Sequence, residues 1–198
     1  MEEVQGINSV FSKYLNPREV DESLCDKEKC AKCGGRCCKH MGCHFRPQDF
    51  KNLTAQSLID FIDESQCVSI DWWEGNPLDE NDESIERTYF LRVRNKDGRI
   101  VEGAWVGKCK LLETNGCPLS DEYRPHGGYT LVPAKDADSE CVSEYTKQQC
   151  VTEWLQYQDV LREVVEHYGG AHMSILDLME GFLGMYKEFA KERRDEGN

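Results

Sequence analysis

Cys30-Ala-Lys-Cys33-Gly-Gly-Arg-Cys37-Cys38-Lys-His-Met-Gly-Cys43, residues 30–43, concentrates five thiols and three glycines in one short stretch. It is too rich in glycine for a regular helix and too dense in sulfur for a simple turn. Cys30 and Cys33 have the two-residue spacing that lets consecutive thiolates face one ion, and the glycines let the backbone wrap closely. A second segment reads Cys109-Lys-Leu-Leu-Glu-Thr-Asn-Gly-Cys117-Pro, with Cys141 and Cys150 further on. Ligands drawn from both segments would close a long loop when metal binds.

Adjacent Cys37 and Cys38 pose a geometric constraint, because neighbouring side chains diverge and suit two sites or one larger cluster better than a single tetrahedral ion. Eight thiols are the candidate ligands: Cys30, Cys33, Cys37, Cys38, Cys43, Cys109, Cys117 and Cys141. Their soft sulfur atoms fit zinc and an iron–sulfur cluster alike. Cys25, Cys67 and Cys150 read instead as peripheral or buried small hydrophobes. His40 and His44 lie close enough in sequence to supply a nitrogen or a supporting hydrogen bond.

The charge pattern agrees. Residues 27–46 carry six lysines and arginines against Glu28 alone, in a chain whose net charge is −13. Cations beside thiolates lower the cost of ionising them; the competing explanation is a solvated basic patch. The overall acidity repels phosphate backbones and anionic lipid, so nucleic acid and membrane are not expected partners. The amino terminus lacks the basic and apolar regions of a secretory signal, and no stretch is long and apolar enough to span a bilayer. Eleven cysteines in a chain read as cytoplasmic point to metal ligation rather than to a disulfide scaffold, which the odd count and the adjacent pair also suit poorly.

The chain of 198 residues reads as one domain, with a metal-binding core over 25–141 and a helical part over 142–198. The expected fold is α+β: a small cysteine-rich metal-binding core with a β-hairpin and C-terminal helices. A helix is expected before Pro17, a helix start at Pro47, and another helix after Thr54 carrying Leu58, Ile59 and Ile62. Cys67 to Trp72 alternates as a strand, and the acidic run Asp79 to Glu86 reads as a solvated loop. Asn95-Lys96-Asp97-Gly98 predicts a hairpin joining strands 88–94 and 99–106, the second leading into Cys109. Val151 to Tyr168 predicts one helix ended by Gly169-Gly170, and a last helix begins near Ser174. Trp72, Trp73 and Trp105 are expected in the core, and Arg124-Pro125 is expected to anchor the loop after Cys117.

Cys33-Gly-Gly-Arg-Cys37-Cys38, Cys109-Lys-Leu-Leu, Gly116-Cys117-Pro-Leu and Tyr123-Arg124-Pro125 together resemble the YkgJ-type cysteine-cluster family, over residues 30–133. The resemblance implies a domain whose cysteines bind zinc or an iron–sulfur cluster, with kinship to flagellin lysine N-methylases. One position departs from the family pattern: the cysteine expected three residues after Pro125 is replaced by Gly128. Cys141 is the nearest downstream substitute and Cys43 is another.

Three functions compete. A non-catalytic metal-binding protein, with room for a protein partner, needs only the ligands that the sequence displays. A redox or methyl-transfer enzyme would join an iron–sulfur cluster to a cosubstrate, and a storage or delivery protein would use the surplus cysteines. No Ser-His-Asp order, phosphate loop or dinucleotide fingerprint is present, which favours the first reading.

Overall fold

The computed structural model describes residues 2–21, 28, 31–32, 34–40, 42–103, 107–114, 116–132, 142–143 and 145–170. The fold is α+β. Helix α1 (Glu2–Tyr14) stops ahead of Pro17 and buries Phe11, with Tyr14 and Leu15 following. A single 3-10 turn, Pro47–Asp49, forms where a helix start was expected.

Helix α3 (Ala55–Ser65) follows a shorter helix α2 (Arg36–His40). Thr54 caps α3, its hydroxyl accepting the Ser57 N–H at 3.3 Å, and Leu58, Phe61 and Ile62 supply its buried face. Gln66 ends the helix in the left-handed region at φ 54° and turns the chain into strand β1. Phe61 packs edge-on against Phe11, Phe45 and Phe50, with ring centroids 5.2, 5.8 and 5.6 Å away. Trp154 joins through Phe50 at 5.9 Å. Edge-to-face rings of this kind are favourable beyond the area they bury.

Strand β1 (Val68–Glu74) pairs antiparallel with β2 (Arg87–Val93), from Val68 opposite Val93 to Glu74 opposite Arg87. The acidic segment is therefore the loop of the hairpin, and the hairpin expected around Asn95–Gly98 is corrected. The turn itself exists, with the Gly98 N–H on the Asn95 carbonyl at 3.0 Å, but the chain leaving it runs beside β1, where the Ile70 N–H meets the Ile100 carbonyl at 2.7 Å. The reason lies in edge occupancy. One edge of β2 is taken by β1 and the other by residues 43–45, with Phe45 N–H on Leu91 O at 2.9 Å and Val93 N–H on Cys43 O at 2.8 Å. Alongside residues 91–93 both edges of β2 are filled, and residues 100–102 pair with β1 instead.

Arg92 and Asp71 are buried within this sheet, their Nε and Oδ2 atoms 2.8 Å apart. Arg92 also donates to the Val93 carbonyl at 3.0 Å. Burial raises the Asp71 pKa, and the adjacent guanidinium opposes that shift.

A short helix α4 (His126–Tyr129) leads into β3 (Leu131–Val132), which pairs antiparallel with β4 (Val142–Ser143). The single helix expected over 151–168 is divided into α5 (Lys147–Trp154) and α6 (Gln158–His167) by a 3-10 turn. The re-aimed α6 brings the Gln158 amide onto both backbone groups of Tyr89, at 2.8 and 2.9 Å, so that one side chain completes the edge of β2. Gly169 and Gly170 end α6 with φ of 88° and 80°, as expected. Trp72 is buried and Trp73 half-buried; Trp105 and the helix expected from Ser174 lie outside the described residues. No helix among the described residues is long and apolar enough to cross a membrane.

Gly42 passes so close to the Val93 carbonyl that a Cβ would overlap it, whereas Gly6 on α1 faces open space. Gly42→Ala is expected to destabilise the protein by about 1–3 kcal/mol, the usual cost of overpacking. Gly6→Ala is expected to stabilise it by about 0.5–1 kcal/mol. Urea unfolding of the two variants checks both signs.

Candidate metal centre

Cys37 and Cys38 lie on α2, which the chain enters through Gly34 and Gly35, both at φ 65°. Only glycine adopts that conformation without strain, and at Gly35 the Leu112 side chain also closes the space that a Cβ would need. Beyond α2, the second cysteine segment is bonded directly to the first. The Cys109 N–H donates to the Cys38 carbonyl and the Gly107 N–H to the His40 carbonyl, each at 2.7 Å. On its other side the second segment pairs with the extension of β2, the Lys96 N–H on Lys108 O at 2.7 Å and the Lys110 N–H on Arg94 O at 2.9 Å.

Cys117 follows a tight reversal in which Glu113 and Gly116 exchange backbone hydrogen bonds of 3.0 and 3.2 Å, with Gly116 at φ 97°. The Asn8 side chain on α1 then clamps the next residues. It donates to Pro118 O at 3.0 Å and accepts the Ser120 N–H at 2.8 Å.

These constraints bring five of the expected ligands into one neighbourhood: Cys37, Cys38, Cys43, Cys109 and Cys117. The Cys38 thiol hydrogen-bonds with Cys109 and Cys37, and the contact with Cys109 is the first cause of a Cys38 pKa pushed up to about 12. Cys43 is raised well above the ordinary thiol value by burial, and further by Cys38 and Cys117, while the Arg124 guanidinium acts in the opposite direction. The cause is general: a sulfur that ionises beside other sulfurs, away from water, has nothing to balance its charge. Arg124 is buried beside this group, 3.7 Å from Asp121, in the anchoring place expected of the loop after Cys117.

Cys30, Cys33 and Cys141, and Cys25 among the peripheral thiols, lie outside the described residues. Among the described residues no three His, Cys, Asp or Glu side chains close on a common point as a complete ligand group. Cys67 and Cys150 are buried, in keeping with packing roles. Cys150 donates to the Phe45 carbonyl at 3.3 Å, and Cys67 has its pKa raised to about 11, first by burial. His40 is exposed. His44 is buried with its ring edge against Phe90, and burial is the first cause of a pKa lowered to about 3.

Gly128 is the site residue whose meaning needed the structure. A Cβ at this position would stand 2.9 Å from the Cys43 sulfur. Nothing local to Gly128 announces Cys43, which is distant in sequence. Comparison with family models, with curated proteins and with solved structures gave no match.

In the metal-free protein, Cys38 and Cys43 are expected to alkylate at least about tenfold more slowly than an ordinary exposed thiol near neutral pH, because their thiolate fractions are depressed. Their rates should rise as pH climbs toward the raised pKa values. Timed iodoacetamide labelling with peptide mass spectrometry measures this site by site.

Proposed function

We propose that this chain is a metal-binding cysteine-cluster protein that holds zinc or an iron–sulfur cluster through thiols of its two cysteine segments. The observation that carries the reading is the backbone junction of Cys38 with Cys109 and of His40 with Gly107, which joins the two cysteine segments, together with the influence of Cys37, Cys109 and Cys117 on Cys38 and of Cys38 and Cys117 on Cys43. The donor set is soft sulfur, suited to either centre. Cys38 and Cys43, with their raised pKa values, are costly to ionise alone, and a bound cation removes that cost while displacing the protons. Arg124 contributes a fixed positive charge on the Cys43 side.

The likeness to the YkgJ-type family is part of the same proposal. In that reading the Cys43 sulfur takes the room that a cysteine side chain at position 128 would need, so Gly128 accompanies a relocated ligand. Cys30, Cys33 and Cys141 are the remaining candidates in the set. The centre is structural in this proposal: it ties α2 to the segment after β2, in a reducing cytoplasmic setting, and leaves the outer surface for a protein partner.

Cys37→Ser and Cys117→Ser are each expected to lower metal content and thermal stability together, since binding of a structural metal is coupled to folding. Cys67→Ser is expected to leave metal stoichiometry unchanged. Elemental analysis and acid-labile sulfide on anaerobically purified protein, with melting curves, make the comparison. Unchanged metal content in both Cys37→Ser and Cys117→Ser would overturn the proposal. Iron with sulfide, or zinc alone, identifies the centre.

A further inference from the structure

Away from the thiols, the chain after α1, the Pro47–Asp49 turn and the start of α4 meet around a cavity of about 230 Å³. Asn16, Arg18, Arg46, Gln48, Asp49 and His126 line it. Asp49 is buried and saturated with donors: Arg18 Nη2 at 2.9 Å, the His126 N–H at 3.0 Å and the Arg46 N–H at 3.1 Å. Arg18 also donates to the Arg124 carbonyl at 2.7 Å and lies over the Tyr129 ring at 4.7 Å, so its guanidinium is fixed in place. Its Nε is nevertheless buried without a hydrogen-bond partner.

His126 stands between two cations. Its Nδ1 is 3.3 Å from Arg18 Nη1, and its Nε2 is 3.5 Å from Arg46 Nη1. A neutral imidazole has one accepting nitrogen and one N–H. One of the two guanidinium contacts therefore sets donor against donor. The Tyr145 ring packs nearly perpendicular to the His126 ring, with centroids 4.6 Å apart. Burial first, then Arg46 and Arg18, keep this histidine neutral, with its pKa lowered to about 4. Arg46 reaches Gln48 Oε1 at 3.0 Å and Glu153 at 3.5 Å, both through Nε, which leaves the Nη side toward His126 in conflict.

The cavity thus gathers a surplus of fixed N–H donors, with the one buried carboxylate already occupied. We propose that it binds a small oxyanion, a phosphoryl or carboxylate group held between the Arg18 and Arg46 guanidinia with the His126 N–H as a third donor. Guanidinium forks match the paired oxygens of both groups. The volume lies below the range of about 300–1,000 Å³ usual for drug-sized ligands, which restricts the occupant to a small molecule or the acidic end of one. The net charge of −13 disfavours polyanions at long range. Screening over about 8 Å in physiological salt leaves the local field to Arg18 and Arg46 and to the carboxylates of Asp49 and Glu153 beside them.

The full-length protein, at its as-purified metal content, is titrated near neutral pH with inorganic phosphate and separately with succinate, using calorimetry and the NMR signals of the Arg46 Nε and His126 side chains. Saturable one-site binding of either anion is expected, weakened about tenfold or more in Arg46→Gln and in His126→Gln while the melting temperature holds. Preference for phosphate or for succinate assigns the phosphoryl or the carboxylate class. Absence of saturable binding of both anions, or wild-type affinity in both variants, would overturn the proposal. Metal content is read on the same samples, so failure here is separable from failure of the metal reading.

Discussion

Residues 42–45 are the constraint on which the rest of the molecule depends. Their backbone closes the outer edge of β2, and the Phe45 ring sits fully buried among Phe11, Phe50 and Phe61. The Phe45 carbonyl, which a lone sheet edge would leave open, accepts the Trp154 indole N–H at 2.8 Å and the Cys150 thiol. Four residues thus connect α1, α3, the hairpin and α5. Period-two alternation then fixes Cys43 on the same side of the strand as Phe45, so the thiol site inherits its position from the aromatic core. Gly42 is the point where the chain can pass the Val93 carbonyl, and the register of Cys43 follows from that passage.

Electrostatic stress is distributed unevenly around this frame. Arg92 and Asp71 meet in the sheet with short, direct bonding, and removing either partner from such a pair leaves an uncompensated buried charge, costing about 3–5 kcal/mol. The thiols are different. Neighbouring thiols raise the cost of ionising Cys38 and Cys43, opposed at Cys43 by Arg124. The same folded frame therefore pairs one buried charge internally, while the ionised forms of Cys38 and Cys43 are disfavoured by their surroundings.

Local signals in the sequence located the elements well. Thr54 as a cap, the helical spacing of Leu58, Ile59 and Ile62, the alternation after Cys67 and the Gly169-Gly170 stop all act within a few residues, and each is found in the structure. Pairing was less legible. Asn95 to Gly98 makes its turn, yet which strand a turn serves depends on which edges are free, and the edge of β2 had been filled by a segment read only as ligands. Proximity of Cys37 and Cys38 to Cys109 and Cys117 was expected from chemistry, and Cys43 as a substitute for the ligand absent at Gly128 followed from the family resemblance, while the grouping of Arg18, Asp49 and His126 had no signal at all. Contacts spanning 31 and 108 residues leave no periodicity to read.

The loop from Arg124 to Gly128 runs between Cys43 and the arginine-lined cavity. Arg124 sets its charge near Cys43, and its carbonyl fixes Arg18. The His126 N–H binds Asp49, the Gly127 N–H binds the His44 carbonyl at 3.0 Å, and Gly128 lies against the Cys43 sulfur. Arg124 and Gly128 therefore face Cys43, while His126 lines the arginine cavity. The segment that completes β2 carries Cys43 and His44 against this loop, whose Gly127 N–H satisfies the His44 carbonyl and whose Gly128 lies beside the Cys43 sulfur.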